Sequence, residues 1–196
     1  MKKRILLIQA HPDATHPHLC GALEQSYEQG AKAAGHELRH IQVAALNFPL
    51  LQSQHEWEHG MLPDSLHQAQ VDIAWAEHIV FFFPLWLGDM PALLKGFLEQ
   101  VARPGFALAP ATANNAFPKP GLSGRSAHIV VTMGMPGLVY RLYFRGHAIK
   151  SMKRNILGFV GISPVKDTVI GMAAQMSPEK AGRWLAKMAQ CGRAAQ

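Results

Sequence analysis

The chain is poor in cysteine, in acidic residues and in long apolar runs. Its two cysteines, Cys20 and Cys191, lie far apart without the spacing of a metal-binding pair, which favours reduced thiols in the cytoplasm. No window reaches the roughly 18 uncharged apolar residues of a membrane-spanning helix, so we expect no insertion into a membrane. The basic start is followed by an apolar run that is too short for a secretory signal and is typical of a first strand.

Acidic side chains are outnumbered, because 19 Lys and Arg residues against 13 Asp and Glu residues give a formal net charge of +6. Only 16% of the 196 residues are charged and 48% are hydrophobic, which favours one globular domain over 1–196. The positive balance indicates an anionic ligand. The basic residues are scattered apart from a cluster within 141–154, and no nucleic-acid-binding motif accompanies them. We therefore expect a phosphate-bearing small molecule and no nucleic acid.

Apolar runs alternate with helical patterns along the chain, which predicts a parallel α/β sheet with right-handed crossovers. The run from His78 to Pro84 is hydrophobic enough for burial on both faces of that sheet. Gly35 is predicted to cap the first helix, and Gly30 to be a tolerated interior glycine. The predicted strands are 5–9, 37–43, 79–83, 127–132 and 165–170, and the predicted helices are 18–34, 64–77, 91–101, 147–159 and 178–191.

Two long connections, 47–62 and 103–124, interrupt this alternation. Loops of such length inside a compact domain are commonly functional or part of an interface. Both contain apolar residues that a monomer has difficulty burying.

An aromatic loop follows the third predicted strand. It comprises Leu85, Trp86, Leu87 and Gly88, and Pro91 then opens a helix. Open α/β sheets bind ligands at the carboxyl ends of their strands. A loop with aromatic character and little charge at that edge favours a flat, largely apolar ring system, as in a cofactor.

The turn after the first predicted strand reads AHPDATHPHL and is a candidate phosphate site. Backbone N–H groups and the positive end of the following helix hold phosphates at this position of doubly wound folds. No glycine lies between Gln9 and Gly21, which argues against the GxGxxG pattern of dinucleotide-binding folds. Pro17 fits the first position of a helix. Side chains that can supplement the backbone donors are His11, Thr15, His16 and His18.

Two other interpretations of this turn stay open. His16 and His18 are also typical of solvent-facing residues at the start of a helix. Together with His11 they place three histidines within eight residues, a pattern that also occurs in metal sites. Asp13 supplies the only carboxylate in the turn, so we predict no metal site.

Three segments together resemble the flavodoxin-like NAD(P)H:quinone oxidoreductase family. They are the strand ending in AHPD, the segment FPLWLGDMPALLKGFLEQV and the segment TMGMPGLVY after the fourth predicted strand. The similarity extends from Arg4 to about Ala189, and the second segment is its most specific part. The family includes quinone reductases, drug-activity modulators and ancillary subunits of potassium-efflux systems. The resemblance implies a flavodoxin-like, five-stranded sheet in the order 2-1-3-4-5 with helices on both faces.

The resemblance also implies a bound flavin, with FAD as the first expectation and FMN as the alternative. The family usually has Ser at the position of His16 and Asn at the position of His18, and imidazole can still donate a hydrogen bond. The residues implied to bind the flavin are His11, Thr15, His16, Pro17 and His18 at its phosphate, Pro84, Leu85, Trp86 and Leu87 along the isoalloxazine, and Thr132, Gly134 and Met135 on the other side of the ring.

The implied activity is two-electron NAD(P)H:quinone oxidoreduction by a ping-pong mechanism. Hydride passes from NADPH or NADH to the flavin, the nucleotide leaves, and a quinone or similar planar acceptor takes its place. Tyr140 would stabilise the oxygen anion on the acceptor, and His147 would help to deliver a proton. From the residues alone, packing at a pocket mouth is the alternative for Tyr140, and a helix start without a chemical role is an equal alternative for His147.

The segment 140–155, YRLYFRGHAIKSMKRN, mixes aromatic residues with five basic ones. Arginine forks recognise phosphate, so one hypothesis is a preference for NADPH over NADH. A solvated face or the rim of a dimer interface is the equal alternative. The family further implies a homodimer whose active site is completed across the interface. The alternative function is a flavin-bearing regulatory subunit docked on a potassium-efflux transporter.

Overall fold

The computed structural model describes residues 1–109 and 119–196. Five parallel strands form a sheet in the order β2-β1-β3-β4-β5, which confirms the predicted fold class and strand order. The strands are β1 (Arg4–Gln9), β2 (Glu37–Gln42), β3 (His78–Pro84), β4 (Ser126–Thr132) and β5 (Val165–Ile170).

The central strand β3 is buried along its whole length. Alternate side chains of a strand point to opposite faces, so one apolar run serves two cores. Phe81 and Phe83 belong to the core on one face of the sheet, whereas Val80 and Phe82 belong to the core on the other. Burial on both faces explains why the run is continuous instead of alternating with polar residues.

Helices cover both faces of the sheet. α1 and α7 pack on one face, and α3, α4 and α6 contribute to the larger core on the other. α6 continues as a π-helical segment, Met152–Leu157. Across the described ranges, no helix has the length and apolar character needed to cross a membrane. The helices of these ranges are α1 (Leu19–Ala33), α2 (Gln54–His59), α3 (Asp64–Trp75), α4 (Ala92–Val101), α5 (Gly137–Leu142), α6 (His147–Ser151) and α7 (Pro178–Ala194).

α1 and α7 cross at two glycines. A methyl group added at Gly30 would overlap the carbonyl oxygen of Ala189, and one added at Gly192 would overlap the carbonyl oxygen of Tyr27. The two backbones therefore approach each other more closely than any larger residue would allow. The prediction that Gly30 is merely a tolerated interior glycine was wrong, because the helix crossing requires it.

The ends of α1 are defined by local hydrogen bonds. His18 is the N-cap, since its Nδ1 accepts a hydrogen bond of 2.9 Å from the backbone N–H of Gly21. Pro17 therefore precedes the cap. The prediction that Pro17 occupies the first helical position was wrong, because that position is Leu19. At the other end Ala34 is the C-cap, and Gly35, predicted as the cap, follows it with a φ of +76° and donates its N–H to the carbonyl of Lys32 at 2.9 Å.

The first long connection, 47–62, docks on the body of the protein. It contains α2, and the buried guanidinium of Arg103 donates from Nη1 to the carbonyl oxygens of Glu56 at 2.7 Å and Gly60 at 2.9 Å. These hydrogen bonds tie the connection to the end of α4. Residues 110–118 of the second predicted connection lie outside the described residues.

Candidate active site

The carboxyl ends of β1, β3 and β4 meet at one edge of the sheet and border a cavity of about 340 Å³. Three segments that sequence analysis identified separately therefore form one site, at the edge where such sheets bind ligands. Its lining includes His11 and His18 from the turn after β1, Pro84, Leu85 and Trp86 from the end of β3, and Thr132, Met133 and Gly134 from the end of β4.

His11 connects the two sides of this cavity. Its ring stacks on the ring of His18, with 3.8 Å between the centroids and an interplanar angle of 12°. It also meets the indole of Trp86 edge-on, with 5.9 Å between the centroids. The ring is held in place because its Nδ1 accepts a hydrogen bond of 3.1 Å from the backbone N–H of Asp13.

The carboxylate of Asp13 is surrounded by hydrogen-bond donors of its own turn. Its Oδ1 accepts hydrogen bonds from the N–H of Thr15 at 2.7 Å and from the hydroxyl of Thr15 at 2.6 Å. The Nδ1 of His16 lies 2.7 Å from Oδ2. These hydrogen bonds, those of Thr15 above all, hold the pKa of the Asp13 carboxyl well below its usual range. The predicted phosphate donors thus already surround a negatively charged oxygen group.

The aromatic loop after β3 is anchored to the neighbouring strand. The N–H of Leu85 donates to the carbonyl of Thr132 at 2.8 Å, which extends the pairing of β3 and β4 past the strand end. Trp86 and Asp89 exchange two backbone hydrogen bonds, 2.9 and 3.0 Å long, across a tight turn. Leu87 at the tip of this turn has a φ of +47° and is fully exposed. Trp86 is thereby presented to the cavity with half of its surface in solvent.

Cys20 is a lining residue that sequence analysis missed. Its Sγ lies 3.0 Å from the hydroxyl oxygen of Thr132, and both residues are buried. Burial raises the pKa of the Cys20 thiol to about 12, so the thiol stays protonated at neutral pH. Ala173 and Ala174 after β5 also line the cavity. Their position directly after a strand end was the available signal, because all parallel strands end at the same edge.

Several predicted flavin contacts lie outside the lining of this cavity. Thr15, His16 and Pro17 are exposed in the turn beside it, and Leu87 projects into solvent. Met135 is half-buried and packs against the core that contains α4. These five residues therefore do not line the cavity, and their contacts with a flavin stay predictions.

Tyr140 and His147 do not line this cavity either. Tyr140 is 2% exposed, and its hydroxyl accepts a hydrogen bond of 3.3 Å from the N–H of Ile149, which ties α5 to α6. Burial raises the pKa of Tyr140, so its hydroxyl keeps its proton. His147 is exposed at the first position of α6. The catalytic roles of both residues stay predictions.

A second cavity, of about 290 Å³, lies beside Tyr140 and collects the basic cluster of the sequence. Asp167 on β5 accepts hydrogen bonds from Nη2 of Arg141 at 2.9 Å and from Nζ of Lys153 at 2.8 Å. Burial alone would raise the pKa of Asp167, but the hydrogen bond and charge of Lys153 and the charge of Arg141 lower it. The other basic residues of the lining are Arg145, Lys150 and Arg154.

Comparison with known proteins agrees with this architecture. A family model described as a flavodoxin-like fold matches residues 3–190. The chain belongs to this flavodoxin-like family. The resemblance inferred from the AHPD, FPLW and TMGM segments is thereby confirmed at the level of family and fold.

Two curated relatives each match about two thirds of this chain. The ribosyldihydronicotinamide dehydrogenase-like protein traD of Penicillium crustosum is 29% identical over 159 residues, which are 67% of this chain and 57% of that protein. The NAD(P)H dehydrogenase [quinone] 1 of Rattus norvegicus is 25% identical over 160 residues, which are 71% of this chain and 57% of that protein. The chain thus spans little more than half the length of these relatives.

Among solved structures, the NAD(P)H:quinone oxidoreductase of Methanothermobacter marburgensis has a TM-score of 0.81 to this member of the flavodoxin-like family. The match covers 98% of this chain and 96% of that chain at 21% sequence identity. At that identity the similarity shows the shared fold alone.

Proposed function

We propose that the protein is a flavin-dependent NAD(P)H:quinone oxidoreductase that works by two-electron hydride transfer in a ping-pong mechanism. The observation that carries the proposal is the cavity shared by the His11 turn, the Trp86 loop and the end of β4. The name of the rat relative supports the same chemistry. The regulatory subunit of a potassium-efflux transporter gains no support from the described residues or from these relatives.

The residues around the cavity fit a flavin. The first turn of α1, a helix of 15 residues, borders the cavity through Leu19 and Cys20, and the positive end of a helix favours a phosphate. The donors of Thr15 and His16 are arranged around a carboxylate, and this arrangement supports a role in binding an anionic oxygen group. The opposite walls are apolar and include the indole of Trp86. A bound flavin would supply the hydride-accepting and hydride-donating chemistry that side chains lack.

Each wall has a defined task in this proposal. His11 and His18 orient the phosphate end, Trp86 covers the ring, and the side of Gly134 is open because a Cβ there would meet no atom within 4 Å. The protonated thiol of Cys20 packs against Thr132 and offers no nucleophile. FAD is our first expectation for the flavin, with FMN as the alternative.

Tyr140 is proposed to donate a hydrogen bond to the oxygen of the acceptor. Its hydroxyl oxygen already accepts a bond from Ile149, so its own proton is free for donation. The raised pKa of Tyr140 keeps that proton in place at neutral pH. His147 is proposed to deliver the second proton from the exposed start of α6.

We also propose a cytoplasmic homodimer formed through the face of α4 and the π-helical segment. An apolar cavity of about 230 Å³ includes Leu98, Ile156 and Phe159, and Phe159 is 49% exposed. A neighbouring cavity of about 450 Å³ shares Ile156 and continues to Trp86 and Leu87. A second copy on this face would therefore lie beside the flavin site, as the family resemblance implies.

We further propose that the protein prefers NADPH over NADH as its hydride donor. The basic cavity beside Tyr140 supports it, because Arg141 and Arg145 offer guanidinium forks to a 2′-phosphate. Poorer use of NADPH after Arg141→Ala and Arg145→Ala would support this preference. Equal use of both nucleotides by the unaltered protein would refute it.

The deciding experiment is an absorbance titration of the purified protein with FAD and with FMN, followed by anaerobic NADPH and then menadione. We expect a flavin band that bleaches with NADPH and returns with menadione, and the cofactor released on denaturation distinguishes FAD from FMN. Trp86→Ala should retain less flavin, while Trp184→Ala on α7 serves as the matched control. Absence of flavin uptake, or equal flavin content in Trp86→Ala and Trp184→Ala, would contradict the assigned site.

A further inference from the structure

One long stretch of the chain contains no acidic residues. Residues 100–166 contain no Asp or Glu, whereas nine of the 19 Lys and Arg residues fall there. Asp167, directly after this stretch, is the carboxylate that Arg141 and Lys153 share. The surface built by α5, α6 and the π-helical segment is therefore strongly positive.

α5 presents a row of apolar side chains to solvent within that positive surface. Leu138 is 69%, Val139 43%, Leu142 70% and Tyr143 80% exposed. Leu138 and Leu142, like Val139 and Tyr143, are four residues apart, so all four project from one side of the helix. On another side, buried Tyr140 holds the helix to the body of the protein through its bond to Ile149. The apolar row is thus presented outward by an anchored helix.

Basic side chains flank the apolar row. Arg145, Lys150 and Arg154 are exposed and line the cavity of about 290 Å³ next to α5. Among the ion pairs of the described residues, Asp167 is bound to Arg141 and Lys153, and these three cations take part in none. We call α5 with these flanking cations the basic-apolar surface.

We propose that the basic-apolar surface binds the face of a lipid bilayer that contains anionic lipids. Helices that lie in a membrane interface combine an exposed apolar side with flanking Lys and Arg, and anionic headgroups attract such cations. Tyr143 has the apolar body and polar tip that suit the headgroup region. The apolar row enters the acyl boundary while Lys150 and Arg154 meet the phosphates.

The apolar row also decides against other anionic partners. A nucleic acid would attract the cations, but burying Leu138 and Leu142 against phosphates and sugars would gain nothing. A second copy of the chain would place the same cations opposite each other around a two-fold axis. A bilayer satisfies both halves of the surface at once.

Membrane binding by the basic-apolar surface does not depend on a flavin, but it would extend the proposed function. A flavin site held at a bilayer would reach quinones whose apolar tails confine them to the membrane. The substrate class would then be lipid-soluble quinones, an assignment that rests on the proposed function.

The test is flotation of the full-length protein with extruded vesicles. One set contains phosphatidylcholine alone, and the other contains equal amounts of phosphatidylcholine and phosphatidylglycerol. We expect flotation with the second set only, and a loss of binding as sodium chloride is added. The double variant Leu142→Ser, Tyr143→Ser should lose most of its binding. Removing two charges with Lys150→Gln, Arg154→Gln should weaken it about 30-fold, from about 1 kcal/mol per cation near such a surface.

The controls are single substitutions of the same kinds, apolar to Ser and cation to Gln, on other parts of the surface. Val71→Ser on α3 removes an apolar side chain that is 53% exposed, and Arg183→Gln removes an exposed cation of α7. Both controls should float like the unaltered protein. Thermal melts of all variants report whether the fold is retained.

Three results would overturn the inference. The first is no flotation with either vesicle set, or equal flotation with both. The second is binding that Leu142→Ser, Tyr143→Ser leaves intact and that soluble polyphosphate abolishes. The third is a change from dimer to monomer in Leu142→Ser, Tyr143→Ser during sedimentation, which would make this face a contact between copies. Flavin content measured on the same samples separates this outcome from failure of the proposed function.

Discussion

The imidazole rings of His11 and His18 stack almost in parallel, 3.8 Å apart at their centroids. One ring follows the end of β1 and the other caps α1, so the stack joins strand, turn and helix in one unit. Burial and the neighbouring His11 lower the pKa of His18. At neutral pH its Nδ1 is therefore free to accept the hydrogen bond from Gly21 that begins the helix.

His18→Ala should lower the free energy of unfolding by about 1 kcal/mol, the usual effect of losing an N-cap. His18→Asn should recover most of that loss, because the Asn side chain can accept the same hydrogen bond. Urea unfolding of the flavin-free proteins measures both changes. Equal losses in the two variants would show that the stack with His11, and not the cap, carries the effect.

Asp13→Asn should strengthen flavin binding, by up to about fivefold, the scale of one exposed charge pair. The carboxylate uses the donors of Thr15 and His16 that a phosphate needs, and it carries a charge of the same sign. Asn keeps an oxygen for the turn but removes the charge. Fluorescence titration with FAD and FMN provides the measurement, and weaker binding in Asp13→Asn would show that the carboxylate positions the phosphate loop instead of competing with its ligand.

Tyr140→Phe should lower quinone turnover while flavin stays bound. It should also cost about 1 kcal/mol of stability, because the N–H of Ile149 loses its acceptor in a buried position. Rapid-mixing kinetics can separate the two half-reactions. We expect normal bleaching by NADPH and slow reoxidation by menadione; full turnover in Tyr140→Phe would assign Tyr140 to packing alone.

Gly30→Ala should destabilise the protein by about 3 kcal/mol, because its methyl group would overlap the backbone of Ala189. Gly182→Ala is the matched control, since a Cβ at Gly182 on α7 meets no atom within 4 Å. That control should gain up to about 1 kcal/mol from its higher helix propensity. Thermal and urea unfolding report both values, and similar effects in the two variants would contradict the close crossing of α1 and α7.

Acid should destabilise the fold through two buried histidines near the amino end of the sheet. Burial lowers the pKa of His78 to about 3 and also lowers the pKa of His128, and Nε2 of His78 finds no hydrogen-bond partner in the described part of the chain. The unfolded chain takes up these protons near pH 6.5, while the folded chain resists them. The free energy of unfolding should therefore fall as pH drops below about 6.5, and His78 should contribute up to about 1.4 kcal/mol per pH unit to that fall.

Urea unfolding between about pH 7 and about pH 5 measures that slope. His78→Leu should make the slope shallower by the contribution of His78, because its protonation on unfolding is lost. His67→Gln changes an exposed histidine of α3 and should leave the slope unchanged. A slope in His78→Leu as steep as that of the unaltered protein would remove His78 from this account.

The features that sequence analysis identified correctly are those that produce a recognisable local pattern of residues. Burial on both faces makes 78–84 continuously apolar, and the loop after it must then lie at the ligand-binding edge. The role of Asp13 depends on how its own turn folds, so the residue type alone did not show it. α5 has six residues, too few for a helical period to stand out. Gly30 meets Ala189 only through the tertiary fold, which local patterns do not record.

The two outer strands bear charged residues that are engaged in ion pairs. On β5, Asp167 binds Arg141 and Lys153, and on β2, Arg39 binds Asp72. An outer strand is where a sheet can recruit the backbone of another molecule and grow into an aggregate. Adding a strand at either outer strand would bury or break these ion pairs, which is unfavourable. Concentrated solutions of this protein should therefore resist fibril formation.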